Sequence, residues 1–375
     1  MPERKIINGT INKLGKKYNS PIINRLQQNF IFNHDPSFKA LHLIPINVAD
    51  VQTEQVTDFF VQTLDLHYVK EGDTVIFLLH SEGWMHFLNF LDTSLKKYIS
   101  HLNFNKIYYA SEQLNYHEIP FQEKPAINHL FFISQDTWLP QYESAIKIPH
   151  TYELKDKIFL CYNNRTAPHR CQLVSLMNKH NMLSNSFVSL NVENAKFTLE
   201  NDIFLTSEKK KEFLDHLPSN NLIIEPWNSS IHERSEYIKY ARHHTRSLFS
   251  IVTETHWYEP ELSFTEKIYR PLSFGHPFIV VGKAGYLKKL REFGFQTFND
   301  SIDEKYDTIE NPHQRIQAII SVMKKIYNMS EIERTKLWYS MNEVANFNLD
   351  VFYKKEFTKK VLLFDFIENY YNEQD

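Results

Sequence analysis

The run Ser263-Phe264-Thr265-Glu266-Lys267-Ile268-Tyr269-Arg270 places two hydroxyls, a carboxylate and two cations within eight residues. An apolar run, Pro277-Phe278-Ile279-Val280-Val281, follows it closely and predicts a buried strand. Hydroxyls and the free N–H groups of a helix start hydrogen-bond phosphate, cations neutralise it, and a carboxylate accepts ribose hydroxyls. That set fits a sugar nucleotide. Its bland counterpart is a capped surface helix, with Thr265 and Glu266 at the cap and Lys267 and Arg270 in water.

A second cluster, Asn163-Asn164-Arg165-Thr166-Ala167-Pro168-His169-Arg170, follows the strand-like Lys157–Tyr162 and opens a helix. In open α/β sheets, ligands sit beyond the carboxyl ends of strands. Arg165 and Arg170 therefore face a diphosphate, which guanidinium groups bind bidentately. Cations at a helix start oppose its dipole, so a ligand or an acid explains them better than bare solvent. A departing nucleoside diphosphate gathers charge that such groups stabilise. A third cluster, His80-Ser81-Glu82-Gly83-Trp84, follows the strand predicted at Thr74–Leu79. Glu82 is the first candidate for the base that deprotonates an acceptor hydroxyl, and His80 the second. The competing reading is a strand-end turn with Gly83 at positive φ and Trp84 in the core. Glu254, His256, Glu259 and Glu261 line the loop before Phe264. No Asp-x-Asp pair occurs, so charge neutralisation by protein cations is expected, with no metal or other cofactor.

These clusters need a scaffold that presents strand ends. Short apolar runs alternate with helical periodicity through most of the chain, the habit of a parallel sheet covered by helices. Helices are expected at 55–66, 84–99, 170–181, 231–245, 265–275, 287–293, 311–328 and 330–345. At 375 residues the chain exceeds one ordinary core, so two domains are expected, at 1–150 and 151–345. An amphipathic tail, 346–375, is expected to pack back on the first.

The segment from Glu254 through Ser263-Phe264-Thr265-Glu266-Lys267 to Pro277 and Gly282 resembles the donor-binding signature of fucosyltransferase-like glycosyltransferases. Residues 277–307 are also similar to glycosyltransferase-like proteins of phages and bacteria. The resemblance spans about 155–325. It implies a GT-B-like fold, with two Rossmann-like domains facing a cleft. It further implies Lys267 and Thr265 on the donor diphosphate, Glu266 on the nucleoside, and an inverting transfer of sugar to a hydroxyl. Donor contacts are expected from Arg165, Arg170, Glu254, Ser263, Thr265, Glu266, Lys267 and Arg270.

Bulk properties exclude other classes. A net charge of −3 disfavours a dominant nucleic-acid footprint. Two cysteines are too few for a disulfide framework. No signal core or membrane-length apolar stretch is present, so a cytoplasmic protein is expected. The chain carries no Gly-x-Gly-x-x-Gly, Walker or Gly-x-Ser-x-Gly motif, which disfavours dinucleotide oxidoreductases, P-loop ATPases and serine hydrolases. Two rivals stand beside sugar transfer to a glycan or other hydroxyl acceptor. One is a phage-type transferase of the same fold acting on DNA bases. The other is a non-catalytic scaffold.

Overall fold

The computed structural model describes residues 5–11, 30–33, 39–46, 73–79, 107–111, 128–131, 152, 155–224, 241–258, 262–354 and 362–372. The chain divides into two compact units, Met1–Leu139 with Lys360–Asp375, and Pro140–Lys359. Both are built on parallel sheets, so the protein is α/β. Among the described residues no helix is long and apolar enough to cross a membrane.

The first unit holds strands β1 (Lys5–Ile11), β2 (Phe30–Asn33), β3 (Leu41–Ile46), β4 (Thr74–Leu79), β5 (Ile107–Ser111) and β6 (Asn128–Phe131). They pair in the order β2-β1-β3-β4-β5-β6, all parallel. The apolar runs of β3 and β4 are buried on both faces, as a covered parallel sheet requires. Asp73 pins their entry: its carboxylate accepts from the Ala40 N–H at 3.0 Å and pairs with His42 Nε2 at 3.0 Å. Strands β1 and β2 lie in a stretch whose sequence shows no clear strand signal. Pairing with β3 makes β1 a strand, and that is tertiary information.

The second unit holds β7 (Lys157–Cys161), β8 (Ser186–Val188), β9 (Ser247–Thr253) and β10 (Phe278–Val281), ordered β10-β9-β7-β8 and parallel. Its helices are α1 (Pro168–Lys179), α2 (Val192–Glu200), α3 (Ser207–Asp215), α4 (Glu266–Phe274), α5 (Tyr286–Glu292), α6 (Pro312–Tyr327) and α7 (Glu331–Lys354). A further helix, α8 (Leu362–Asn372), belongs to the first unit and packs Phe366 on Tyr108 at a ring separation of 4.5 Å. The helices expected at 55–66 and 84–99 lie outside the described residues, as does most of 231–245.

Two helices were not legible. α2 and α3 are capped by Asn191 and Thr206, which accept from the N–H groups of Asn194 and Lys209. α3 buries Phe213 but few other side chains, so its periodicity is faint. The helix expected at 330–345 runs on to Lys354, because Asn348, Val351 and Phe352 are still buried.

Strand β9 is the centre of this sheet, and all seven of its residues are buried. α4 stops at Gly275, which sits at φ 58°, where an L side chain is strained. A Cβ there would also lie 3.2 Å from Leu349 Cδ2. Gly275→Ala is expected to cost about 1–2 kcal/mol, measured by urea denaturation. A cost near zero would mean that the turn relaxes freely.

Candidate functional site

β7 and β9 are neighbours, while β8 leaves on the opposite side of β7. The strand order therefore reverses between them, and in such sheets the crevice beyond the carboxyl ends at this point is the ligand position. Two loops leave those ends, after Cys161 and after Thr253. Asn163 ties them together: its Oδ1 accepts from Thr253 Oγ1 at 2.9 Å, and its N–H donates to Ser189 Oγ at 2.9 Å.

The cations from the two sequence clusters meet here. Arg170, in the first turn of α1, donates from Nη1 to the Arg165 carbonyl at 3.1 Å. Its Nη2 donates to the carbonyls of Thr253 at 3.2 Å and Glu254 at 3.4 Å. Lys267, in the first turn of α4, reaches the same loop and donates to Thr255 Oγ1 at 2.9 Å and Thr265 Oγ1 at 3.2 Å. Arg270 lies with its guanidinium 5.4 Å from the centroid of the Tyr162 ring. Tyr162, Thr253, Lys267 and Arg270 line one cavity of about 30 Å³, roughly the room of a single water. Arg165 is exposed and lends its carbonyl, so its guanidinium stays at the surface.

Glu266 pairs with Lys267 Nζ at 3.1 Å. Burial pushes its carboxyl up, but Lys267 and Arg270 outweigh burial and hold it below the usual range, so it is ionised. Thr265 caps α4 by accepting from the Lys267 N–H at 3.3 Å. Its own hydrogen goes to Glu254 Oε2 at 2.6 Å. The donation to phosphate expected of Thr265 is therefore already spent inside the protein. Ser263 differs: its Oγ is buried and makes no hydrogen bond among the described residues.

Glu254 is only 2 % exposed, so its carboxylate serves the interior and does not face a ligand. The second oxygen accepts from Tyr286 OH at 2.5 Å. Burial raises its pKa, against the pull of Lys267 and the two hydroxyls. Tyr286 and Arg315 carry no signal in a motif search, yet both shape this loop. Arg315 could have been noticed as a charge on the apolar stripe of α6 that includes Ile319 and Met323. Glu82, His80, Glu259 and Glu261 lie outside the described residues.

A larger cavity of about 240 Å³ has Thr255, the hydroxyl that accepts from Lys267 Nζ, in its wall. Pro168, His169, Asp202, Phe204, Trp257 and Tyr258 are among its walls. Phe204 and Tyr258 stack at 4.3 Å, and His169 stacks on Trp257 at 5.4 Å. The start of α1 borders it with Ala167 at the cap, a residue whose side chain cannot bond the helix N–H groups. His169 Nε2 donates to the Glu254 carbonyl at 2.8 Å. Burial, seconded by Arg170, holds the imidazole well below its usual pKa, so it stays neutral when folded. The unfolded chain protonates this histidine below about pH 6.5, so His169 lowers stability as pH falls through that value. Urea midpoints at pH 7.5 and 5.5 should therefore differ less in His169→Gln than in the wild type. An unchanged difference would remove His169 from the acid sensitivity.

No family model and no curated protein matches the chain. Solved structures do resemble it. The trehalose-6-phosphate synthase OtsA aligns at 11% identity over 94% of this chain and 75% of its own, with a TM-score of 0.45. An α,α-trehalose 6-phosphate synthase from Burkholderia multivorans aligns at 10% identity over 87% and 70%, with a TM-score of 0.40. A Listeria monocytogenes protein assigned as a UDP-N-acetylglucosamine 2-epimerase aligns at 11% identity over 93% and 96%, with a TM-score of 0.37.

Proposed function

We propose that the chain is a glycosyltransferase that takes a sugar from a nucleoside-diphosphate donor. One observation carries this reading: Arg170 and Lys267, from separate helices, are anchored on the same three residues, 253–255, at the strand-order reversal. A donor diphosphate bound over these strand ends would take the Lys267 Nζ hydrogen now turned to Glu266 onto a phosphate oxygen, while the two threonines keep the ammonium in place. Arg165 and Arg270 would add charge, and Ser263 Oγ a free hydrogen-bond donor. Glu266 would take a ribose hydroxyl, and the aromatic cavity beyond Thr255 would take the base.

In the transfer the acceptor hydroxyl loses its proton to a base, and its oxygen bonds to the anomeric carbon. The bond from that carbon to the phosphate oxygen breaks, and the electron pair leaves on the diphosphate. The cations favour the step because they stabilise a charge that grows as that bond breaks. Glu82, with His80 as the second choice, is proposed as the base. Attack opposite the leaving group would make the enzyme inverting, as the fucosyltransferase-like signature implies.

The test is mass spectrometry of products after incubation with GDP-, UDP-, ADP- and dTDP-sugars. Release of one nucleotide, with transfer or hydrolysis of its sugar, is the expected result. Thermal stabilisation by no nucleotide, together with no turnover, would leave a scaffold without this activity.

A further inference from the structure

We propose that Tyr286 and Glu254 are positioning residues that aim Lys267 at the donor phosphate; this rests on the reading of Lys267 as a phosphate ligand. Glu254 leaves the end of β9 and turns its carboxylate inward. Two hydroxyls from different helices donate to it, Thr265 Oγ1 at 2.6 Å and Tyr286 OH at 2.5 Å. Such lengths are those of charge-assisted O–H···O⁻ bonds.

The consequence falls on Thr265. A hydroxyl has one hydrogen and two lone pairs. With its hydrogen committed to Glu254, Thr265 turns its lone pairs to the Lys267 N–H at 3.3 Å and to Lys267 Nζ at 3.2 Å. The chain Tyr286–Glu254–Thr265–Lys267 thus fixes the direction of an ammonium group from a side chain that never touches it. Thr255 helps, because its N–H donates to Glu254 Oε2 at 3.3 Å while its Oγ1 accepts from Lys267. The Glu254 carbonyl meanwhile receives His169 and Arg170. One residue therefore sets both cationic arms of the site.

A purely structural role would weaken folding and leave the link to Lys267 untouched. The experiment measures binding of inorganic pyrophosphate to the full chain by calorimetry, in a double-mutant cycle of Tyr286→Phe and Lys267→Ala. Tyr286→Phe removes one oxygen and is expected to weaken binding about tenfold, the loss typical of one hydrogen bond to a charged group. In the Lys267→Ala background the same change should cost nothing further, because its route is gone. Unchanged affinity in Tyr286→Phe, or losses that multiply in the double variant, would overturn the proposal and leave the phosphate site standing. If pyrophosphate binds equally well with and without Lys267, the phosphate reading falls, and the positioning role with it. Should Tyr286→Phe unfold, Thr265→Val and Thr265→Ser test the same chain from its other side. Only the serine variant, which keeps the hydroxyl, should bind as the wild type does.

Discussion

Replacing Lys267 by alanine is expected to lower turnover by about a hundredfold or more, the scale set by removing one preorganised donor from a developing oxyanion, and to weaken donor binding. The fold survives, because Lys267 contributes a partly exposed pair with Glu266 and two threonine contacts. Partly exposed pairs of this kind are worth about 1 kcal/mol or less. Stability and binding therefore separate in this variant. Calorimetry with the nucleotide that the wild type prefers, alongside a urea melt, reads both. Full affinity in Lys267→Ala would take the residue out of the donor site and leave it a structural partner of Glu266 and the two threonines.

The largest loss of stability is expected at Arg315, away from any ligand. Its guanidinium, only 2 % of the residue being exposed, donates to four main-chain carbonyls: Gly282 at 3.0 Å, Ile309 at 2.6 Å, Glu310 at 3.0 Å and Trp257 at 3.4 Å. It also lies 4.4 Å from the centroid of the Trp257 ring. Burial pulls its pKa down to about 10, so it remains charged at neutral pH. Arg315→Met keeps much of the volume but leaves the buried carbonyls of Gly282 and Trp257 without their donor. A loss of about 3–5 kcal/mol is expected, since each orphaned buried group costs roughly 1–3 kcal/mol. Such a loss is a large part of the ordinary 5–15 kcal/mol of a native domain. Arg315→Lys should recover only part, because an ammonium cannot reproduce the planar fork. A urea midpoint unchanged in Arg315→Met would show that the carbonyls find other donors.

Both variants act on one loop, residues 254–258, from opposite sides. Arg315 holds its far end through Trp257, and the Glu254 network holds its near end. Sequence reasoning located the loop but not these supports. Thr265, Lys267 and Arg270 were legible because they cluster within a few residues. Tyr286 was not, since its partner Glu254 is thirty-two residues away. Arg170 was legible as a cation at a helix start, which ordinarily opposes the dipole. What offsets it is a set of carbonyls at the ends of β9 and in the preceding loop, and no spacing rule anticipates these.

Local chemistry was therefore set by the order of the residues alone. The buried strands are apolar runs, the caps of α2, α3, α4 and α6 are hydroxyls and amides, and the cations are grouped beside strand ends. Burial and backbone geometry act over a few residues, so a linear reading captures them. Only the tertiary structure decided which groups share a site. The reversal of strand order brings 163–170 against 253–254, and the fold of the following loop spends the Thr265 hydrogen on Glu254. Hydrogen-bond direction depends on partners that arrive from distant segments, and no local pattern encodes where those segments meet.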